Sequence, residues 1–320
     1  AAVLRKPDRH NDGRASSLNA YHINLVSDCF QRYKKYMYIC AMKRWLFFLL
    51  ILFPFFACAQ TPEKEVYVTT PADRALSEQV ITDLKAHGDE SPGAMMVRAA
   101  KALLGQPYVA GTLEELSDEK LCIYLTRTDC ILFVETCLGL VRTARQGGDF
   151  ETFAQELRES RYRDGVCNRY EDRLHYTTEW ARQGVSRGAL EDWTERLGGI
   201  PLDHPVHYMS QHPEAYPRVS DLEAIRAAEE RINALPSAYI PKPKLSEALK
   251  GVRSGDILFY TTSIDGLDIS HCAIAVVEGG TVRFIHASTG PMKVVMDPRP
   301  VAEYLSGRKS ATGLQVYRVR

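Results

Sequence analysis

The stretch HCAIAVVEGGTVRFIH, residues 271–286, decides the fold. It contains two apolar runs of strand length, and Gly279-Gly280 separates them as a turn signal, so the stretch predicts an antiparallel hairpin. Similar runs lie on either side of it, and the predicted strands are 256–260, 271–277, 281–285, 293–296 and 314–319. The C-terminal part of the chain is therefore expected to form an antiparallel sheet.

Upstream of this sheet, the pattern changes to a helical period. Residues 128–145, TDCILFVETCLGLVRTAR, begin with an N-cap candidate in Thr128-Asp129 and carry one apolar stripe. That stripe consists of Ile131, Val134, Leu138 and Val141. A second helix is predicted at 93–104 and a short strand at 121–125. Helices followed by an antiparallel sheet predict an α+β fold.

The middle of the chain has a different composition. Residues from about 149 to 250 are rich in Arg, Glu, Tyr and Pro, and they predict helices and loops without an internal repeat. We interpret this region as an insertion within a single catalytic domain that covers residues 60–320. We expect that domain to be a monomer.

The N-terminal part has the pattern of a targeting segment. Met42-Lys43-Arg44 precede the apolar run 45–56 and the small-residue stretch 57–59, which together predict a secretory signal peptide over 42–59. The apolar run is shorter than the roughly 20 residues of a membrane span. Residues 1–41 are expected to be an upstream segment without a fold of its own. These features predict a periplasmic protein, with a lipid anchor at Cys58 as the weaker alternative.

Charge and cysteine content exclude several classes of function. The 40 Lys and Arg residues balance the 40 Asp and Glu residues, so no excess charge would hold nucleic acid or an anionic membrane. After Gln60 the cysteines are Cys122, Cys130, Cys137, Cys167 and Cys272, an odd number spread through apolar runs. This distribution argues against a disulfide framework. The sequence has no Cys-x-x-Cys pair and no His-Glu-x-x-His motif, so we predict neither a metal nor another cofactor.

Cys130 is the candidate nucleophile. It follows the predicted N-cap, and a helix N-terminus lowers the pKa of a thiol because its free N–H groups and its dipole favour the anion. The same N–H groups are suited to stabilising an oxyanion. For a single cysteine the more common interpretation is a buried structural residue, and we assign that interpretation to Cys137 and Cys272.

Two histidines strengthen the catalytic interpretation of Cys130. If the hairpin turns at Gly279-Gly280, His286 faces Ala273 and lies diagonal to His271; if it turns one residue earlier, the two histidines face each other. In both registers they share one face of the sheet within about 8 Å. His271 is then the candidate general base and His286 the residue that orients it. The alternative is that both are satisfied core histidines.

Five motifs in order along the chain resemble the motif string of the NlpC-type papain-like cell-wall peptidases. They are GQPY at 105–108, TDC at 128–130, SGDILF at 254–259, SHCAIA at 270–275 and FIHAS at 284–288. The resemblance implies a papain-like fold and a catalytic triad of Cys130, His271 and His286. It also implies that Tyr108 helps to position the substrate.

Two departures from that family define a narrower resemblance. The usual Asp-Cys-Ser-Gly is here DCIL at 129–132, and a long insertion separates Cys130 from His271. Both features, together with RLHYTTEW at 173–180, resemble an amidase-like branch associated with cleavage between N-acetylmuramic acid and L-alanine. The resemblance thus implies a cysteine amidase that acts on peptidoglycan fragments.

The candidate substrate-binding residues lie around these motifs. They are Tyr108, Asp129, Arg173, His175, Tyr176, Trp180, Asp268, Ser270 and Ser288. In the insertion we expect Trp180 and Tyr176 to pack on sugar and Arg173 to pair with a stem-peptide carboxylate. The alternative is that these aromatic residues, with Tyr170, form a helix packing face. For Asp268 the alternative is an exposed loop carboxylate.

Two other functions remain open at this stage. A γ-D-glutamyl-diaminopimelate endopeptidase would use the same three catalytic residues on a different bond of the muropeptide. A catalytically silent wall-binding module is disfavoured because Cys130, His271 and His286 are all present.

Overall fold

The structure, a computed structural model, describes residues 67–320. The predicted upstream segment 1–41, the predicted signal peptide 42–59 and Cys58 lie outside the described residues. The described residues belong to one compact unit, 64–320. No helix among them is long and apolar enough to cross a membrane.

Helices dominate the first two thirds of the described chain. They are α1 (Pro71–Ala86), α2 (Pro92–Ala102), α3 (Cys130–Arg145), α4 (Phe150–Arg161), α5 (Thr177–Ser186), α6 (Tyr208–Gln211), α7 (Leu222–Asn233), α8 (Leu245–Ala248) and α9 (Val301–Ser306). Single 3-10 turns occur at Thr112–Glu114, Arg163–Gly165, Tyr170–Asp172, Glu195–Leu197, Pro213–Ala215, Lys242–Lys244 and Leu249–Gly251. Side chains of Thr70, Ser91 and Asp129 cap the starts of α1, α2 and α3.

The strands form one large sheet and one small sheet. They are β1 (Tyr67–Thr69), β2 (Leu121–Ile123), β3 (Leu190–Asp192), β4 (Ile200–Pro201), β5 (Ala238–Pro241), β6 (Ile257–Thr262), β7 (Ile269–Glu278), β8 (Thr281–Ser288), β9 (Lys293–Met296) and β10 (Ala311–Val319). In the large sheet the order is β4-β5-β10-β6-β7-β8-β9, with β3 also paired to β10, and every pairing in it is antiparallel. β1 and β2 pair in parallel. The α+β fold class predicted from the sequence is confirmed.

Both faces of the central strands are covered, which explains why their sequences are continuously apolar. On one face Phe259 and Ile274 join the core formed with α1 to α4, and on the other face Leu258 and Phe284 pack with Tyr304 of α9. All six residues of β6 are buried. A sheet with two packed faces selects apolar residues at every position rather than at alternate ones.

The hairpin turns at Gly279-Gly280, as one of the two predicted registers requires. Glu278 pairs with Thr281, and the two glycines have φ values of 57° and 79°. Positive φ at both positions matches a turn whose twist suits a hairpin, and glycine adopts it without strain. This turn fixes the register that places the two histidines.

The insertion differs from the prediction in one respect. It contains the expected helices and loops, but it also adds β3, β4 and β5 to the large sheet. These strands have two to four residues each and pair with one another or with β10, far along the chain. Such short strands carry no periodicity of their own, because pairing with distant strands stabilises them.

Candidate active site

The start of α3 places Cys130 at the first residue of the helix. Asp129 is the N-cap, and its Oδ1 accepts a hydrogen bond from the N–H of Leu132 at 2.9 Å. The partly buried Cys130 therefore lies at the positive end of the helix dipole, and its own N–H has no partner within the helix. This geometry favours a thiolate at Cys130.

Two neighbours on β7 stabilise that thiolate further. Hydrogen bonds from the Cys272 thiol, from the His271 ring and from the Cys272 backbone hold the pKa of Cys130 well below its usual value, although burial opposes them. Burial and the neighbouring Cys130 raise the pKa of Cys272 well above the usual value of a thiol. Cys130 is thus the anion of the pair, and Cys272 stays protonated and donates to it.

The two predicted histidines are in direct contact. Nε2 of His271 lies 2.7 Å from Nδ1 of His286, and the two rings are nearly perpendicular at 84°. In the hairpin register Ile274 pairs with Ile285. One residue further along, His286 therefore lies opposite Ala273 and diagonal to His271. The structure thus brings Cys130, His271 and His286 together in one chain of contacts.

His286 lies at the closed end of this chain. Its side chain is only 1% exposed, and the rings of Phe284 and Tyr304 pack edge-on against it. Burial, with the charge of His271 in addition, lowers the pKa of His286 to about 3. His286 is therefore neutral near pH 7, which suits a residue that orients His271 rather than one that transfers the proton.

Tyr108 and Asp129 lie next to the thiol, and the resemblance led us to expect Tyr108 there. The backbone of Tyr108 pairs with Thr128, which holds it beside the start of α3. Burial, together with the charges of Cys130 and Asp129, raises the pKa of Tyr108 to about 12. Burial and the Cys130 charge raise the pKa of Asp129 to about 7. Tyr108 keeps its proton and can donate it in a hydrogen bond.

The structure corrects the proposed role of Arg173. Its guanidinium is 8% exposed and binds Glu119 at 2.6 Å, Glu114 at 2.6 Å and the carbonyl of Leu113 at 2.7 Å. Four of its five N–H donors are bound to this loop. A buried guanidinium already paired with two carboxylates is not placed to bind a stem-peptide carboxylate. Arg173 anchors the insertion to residues 113–119.

The aromatic residues of the insertion also face inward. Trp180 is 3% exposed and packs edge-on against Phe259 in the main core, and Tyr176 is 4% exposed with its hydroxyl bound to Glu229. Nε2 of His175 lies 2.8 Å from the carbonyl of Tyr170. The substrate-wall interpretation is wrong for these side chains, and the alternative, a packing face, describes them.

The remaining predicted positions lie near the start of β7 and the end of β8. Asp268 is buried and accepts a hydrogen bond from the N–H of Thr178 at 2.7 Å, so the exposed-loop interpretation is wrong. The Ser270 hydroxyl donates to the carbonyl of Tyr260, and Ser288 is buried on the same strand as His286. Asp268 therefore holds the start of α5 against the sheet.

Sequence reasoning missed two residues of the site. Cys272 was interpreted as purely structural, yet it donates to Cys130; its position directly after His271 was the available signal. Asp297 was not singled out, yet its Oδ2 lies 3.5 Å from Nε2 of His286. The sequence feature that could have indicated Asp297 is its position immediately after β9, the strand that pairs with β8.

Within residues 67–320, no group of three or more His, Cys, Asp or Glu side chains is arranged to hold a metal ion.

Known proteins similar to this chain share its fold and up to about a third of its sequence. Residues 98–313 match the AmiA-like family, described as N-acetylmuramoyl-L-alanine amidase-like. An N-acetylmuramoyl-L-alanine amidase from Bacteroides uniformis is 32% identical, with 72% of this chain and 99% of that chain covered and a TM-score of 0.67. A candidate xylanase from Bacteroides fragilis is 34% identical, with 69% and 99% covered and a TM-score of 0.65.

A more distant protein shares the fold alone. A structure from Legionella pneumophila is 20% identical, with 77% of this chain and 96% of that chain covered and a TM-score of 0.58. Among curated proteins, none matches the sequence.

Proposed function

The chain belongs to the AmiA-like family of N-acetylmuramoyl-L-alanine amidase-like proteins, and from this premise we propose that it is a cysteine amidase. Its substrate is a peptidoglycan fragment, in which it hydrolyses the amide bond between N-acetylmuramic acid and L-alanine. The observation that carries the proposal is the contact of the Cys130 thiolate with His271, whose Nε2 lies 2.7 Å from Nδ1 of His286. The reaction class follows from this contact, and the bond that is cleaved follows from the family.

Acylation is the first half of the reaction. The Sγ of Cys130 attacks the carbonyl carbon of the lactyl group of N-acetylmuramic acid. The N–H of Cys130 is at the first position of α3 and has no partner within the helix, so it is placed to stabilise the oxyanion. The C–N bond then breaks, and His271 gives its proton to the leaving amino group of L-alanine. A thioester on Cys130 and the free stem peptide result.

Deacylation returns the enzyme to its starting state. A water molecule attacks the thioester carbonyl while His271 takes its proton. The C–S bond breaks, the muramic acid leaves as a carboxylic acid that then loses its proton to solvent, and the Cys130 thiolate is regenerated with His271 protonated. His286 keeps the His271 ring in one orientation through both halves of the reaction. Tyr108, beside Cys130, contributes a hydrogen-bond donor that we assign to substrate positioning.

The proposal also assigns the arrangement of the three catalytic residues to the NlpC-type papain-like enzymes. A helix presents the nucleophile, and an antiparallel hairpin presents the base and its orienting residue. Xylan hydrolysis, the activity in the name of the Bacteroides fragilis protein, requires a pair of carboxylates flanking a glycosidic bond. The groups that meet at this site are a thiolate and two imidazoles, which suit acyl transfer instead.

The proposal includes the cellular setting. The signal-peptide pattern over 42–59 supports export to the periplasm, where peptidoglycan fragments are released during wall turnover. The test is mass spectrometry of a defined muropeptide digest. Release of an intact stem peptide that begins with L-alanine supports the proposal, and release of the dipeptide L-Ala-D-Glu supports an endopeptidase instead.

A further inference from the structure

The far side of His286 faces a carboxylate. Nδ1 of His286 contacts His271, and Nε2 points the opposite way, 3.5 Å from Oδ2 of Asp297. Both side chains are nearly inaccessible to solvent, at 1% and 5% exposure. Among the described residues, Nε2 of His286 has no hydrogen-bond partner within normal distance. A buried donor with only a carboxylate close by is a feature that needs an explanation.

Asp297 is held rigidly in this position. Its N–H donates to the carbonyl of Phe284, two residues before His286 on β8. Its Oδ1 accepts from the backbone N–H and from Nε of Arg299 at 3.0 and 2.9 Å, and its Oδ2 accepts from Nη2 at 2.8 Å. Burial alone would raise the pKa of Asp297, but the hydrogen bonds from Arg299 outweigh it and hold that pKa below its usual value. Asp297 is an anion at neutral pH.

The other groups around His286 are of different kinds. Phe284 on the same strand and Tyr304 on α9 present aromatic rings to it. The charges of His271, Arg308 and Arg299 disfavour a proton on His286, and the charge of Asp297 favours one. Asp297 is therefore the group that biases where the single proton of a neutral His286 resides.

That proton position determines what His271 can do. In the proposed mechanism the proton of the Cys130 thiol lies on His271, and an imidazolium carries hydrogen on both ring nitrogens. Its Nε2–H must then donate to His286, so Nδ1 of His286 must be an acceptor. A neutral His286 that accepts at Nδ1 carries its proton on Nε2, the atom that faces Asp297. With the other tautomer of His286, His271 would have to accept at Nε2 and could not hold its second proton.

We propose that Asp297 is a positioning residue that fixes the Nε2–H tautomer of His286, so that His271 can stay protonated beside the Cys130 thiolate. The test of this inference by enzyme kinetics rests on the proposed amidase function. The interaction at 3.5 Å is long for a hydrogen bond, so it acts as a charge–dipole attraction in the resting site. Catalytic hydrogen bonds often shorten once substrate is bound.

Two substitutions at Asp297 separate a tautomer effect from a structural one. In Asp297→Asn the amide oxygen is favoured at the Oδ1 position, which accepts two donors, over the Oδ2 position, which accepts one from Nη2 of Arg299. The NH₂ group then faces Nε2 of His286. That group would donate to Nε2 and impose the wrong tautomer. Asp297→Ala removes the carboxylate without imposing either tautomer. We therefore expect kcat to fall further in Asp297→Asn than in Asp297→Ala, by about tenfold or more, with KM little changed in both.

A structural role would give the reverse order, because Asn preserves the shape and most hydrogen bonds of Asp, whereas Ala leaves a cavity. Asp256→Asn is the matched control: it removes the charge of another buried aspartate, paired with Arg318 at 2.7 Å, away from the histidines. The folded control should keep the kcat of the parent. An Asn variant as active as or more active than the Ala variant would overturn the proposal.

A second readout needs no substrate and so separates failure of this inference from failure of the proposed function. The rate at which iodoacetamide alkylates Cys130, followed by peptide mass spectrometry, reports the thiolate fraction at each pH. We expect its midpoint to rise by about one pH unit or more in Asp297→Asn. An unchanged midpoint contradicts the inference even if the parent is an active amidase.

A third measurement uses the unaltered protein, in case the variants do not fold. Nitrogen-15 NMR of labelled histidine distinguishes protonated from unprotonated ring nitrogens. The proposal requires His286 to be protonated at Nε2 and unprotonated at Nδ1 near pH 7. The opposite assignment would refute it.

Discussion

Nε2 of His271 lies 2.7 Å from Nδ1 of His286, across adjacent strands of the hairpin. At this distance one hydrogen lies between the two nitrogens, and the other ring nitrogen of His271 remains for Cys130. The Gly279-Gly280 turn fixes the strand register and thereby the contact. In the proposed mechanism the two histidines have separate roles: His271 moves the proton, and His286 sets the orientation of the ring that moves it.

The first prediction concerns the nucleophile. Cys130→Ala should lower kcat by at least about a thousandfold, because it removes the atom that forms the acyl-enzyme. Circular dichroism should show an unchanged fold, since Asp129 still caps the helix through Leu132. Cys167→Ala, a substitution of another partly buried free cysteine, is the control and should keep full activity. Hydrolysis by Cys130→Ala at the rate of the parent would rule out the cysteine mechanism.

The second prediction ranks the two histidines. His271→Ala should lose about as much activity as Cys130→Ala, because it removes the group that takes the thiol proton and protonates the leaving amine in the proposed mechanism. His286→Ala should lose less, roughly 10- to 100-fold, since it removes only the orienting contact. Steady-state kinetics on one muropeptide would check the order. If His286→Ala is as active as the parent, the histidine contact is structural only.

The candidate catalytic centre could be predicted from sequence because its signals are local. An N-cap before an apolar stripe places Cys130 at a helix start, and the period of two along the strands places His271 and His286 on one face. The glycine pair limited the hairpin to two registers, and the structure has the diagonal one. The same reasoning did not reach Asp297, because its contact depends on how β9 aligns beside β8.

The insertion was less predictable for a physical reason. A helical period shows that aromatic residues share a face, but it does not show whether that face meets solvent or another element. The partners that bury Arg173 are Glu114 and Glu119, 59 and 54 residues earlier in the chain. Ion pairs over such separations leave no trace in local pattern. Arg and Trp side chains that resembled a binding surface are therefore part of the scaffold.

The third prediction follows from that correction. Arg173→Ala should lower the free energy of unfolding by about 3 kcal/mol, because it leaves Glu119 buried with only Arg218 as a charged partner. Arg169→Ala, which removes an exposed ion pair with Asp221, is the control and should cost at most about 1 kcal/mol. Urea unfolding measures both. Loss of muropeptide affinity without loss of stability in Arg173→Ala would restore the substrate-wall interpretation.

The fourth prediction concerns acid sensitivity. Burial lowers the pKa of His175 to about 4, from an ordinary value of 6.5. Between these pH values the unfolded chain binds a proton that the folded chain does not, so this residue lowers stability as the pH falls through the window. The loss approaches roughly 2 to 3 kcal/mol at the acid end.

His175→Gln tests this effect, because glutamine can still donate to the Tyr170 carbonyl but does not titrate. Urea unfolding at pH 7 and pH 4.5 should show a smaller loss of stability in the variant than in the parent. His286 contributes in the same direction, and Asp129, whose pKa is raised to about 7, contributes in the opposite one. The contributions of His286 and Asp129 to the pH dependence of stability are the same in the parent and the variant, so they cancel in the comparison. An identical loss in parent and variant would mean that His175 is protonated in the folded state.

The proposed function requires Cys130 to cleave the bond between N-acetylmuramic acid and L-alanine. The most direct measurement is mass spectrometry of a defined N-acetylmuramoyl-tetrapeptide after incubation with the parent and, in parallel, with Cys130→Ala. The parent should release the intact tetrapeptide with a free L-alanine amino group, together with free N-acetylmuramic acid, and Cys130→Ala should release neither. Release of L-Ala-D-Glu or its muramoyl form by the parent, or of the tetrapeptide by Cys130→Ala, would refute the proposed function.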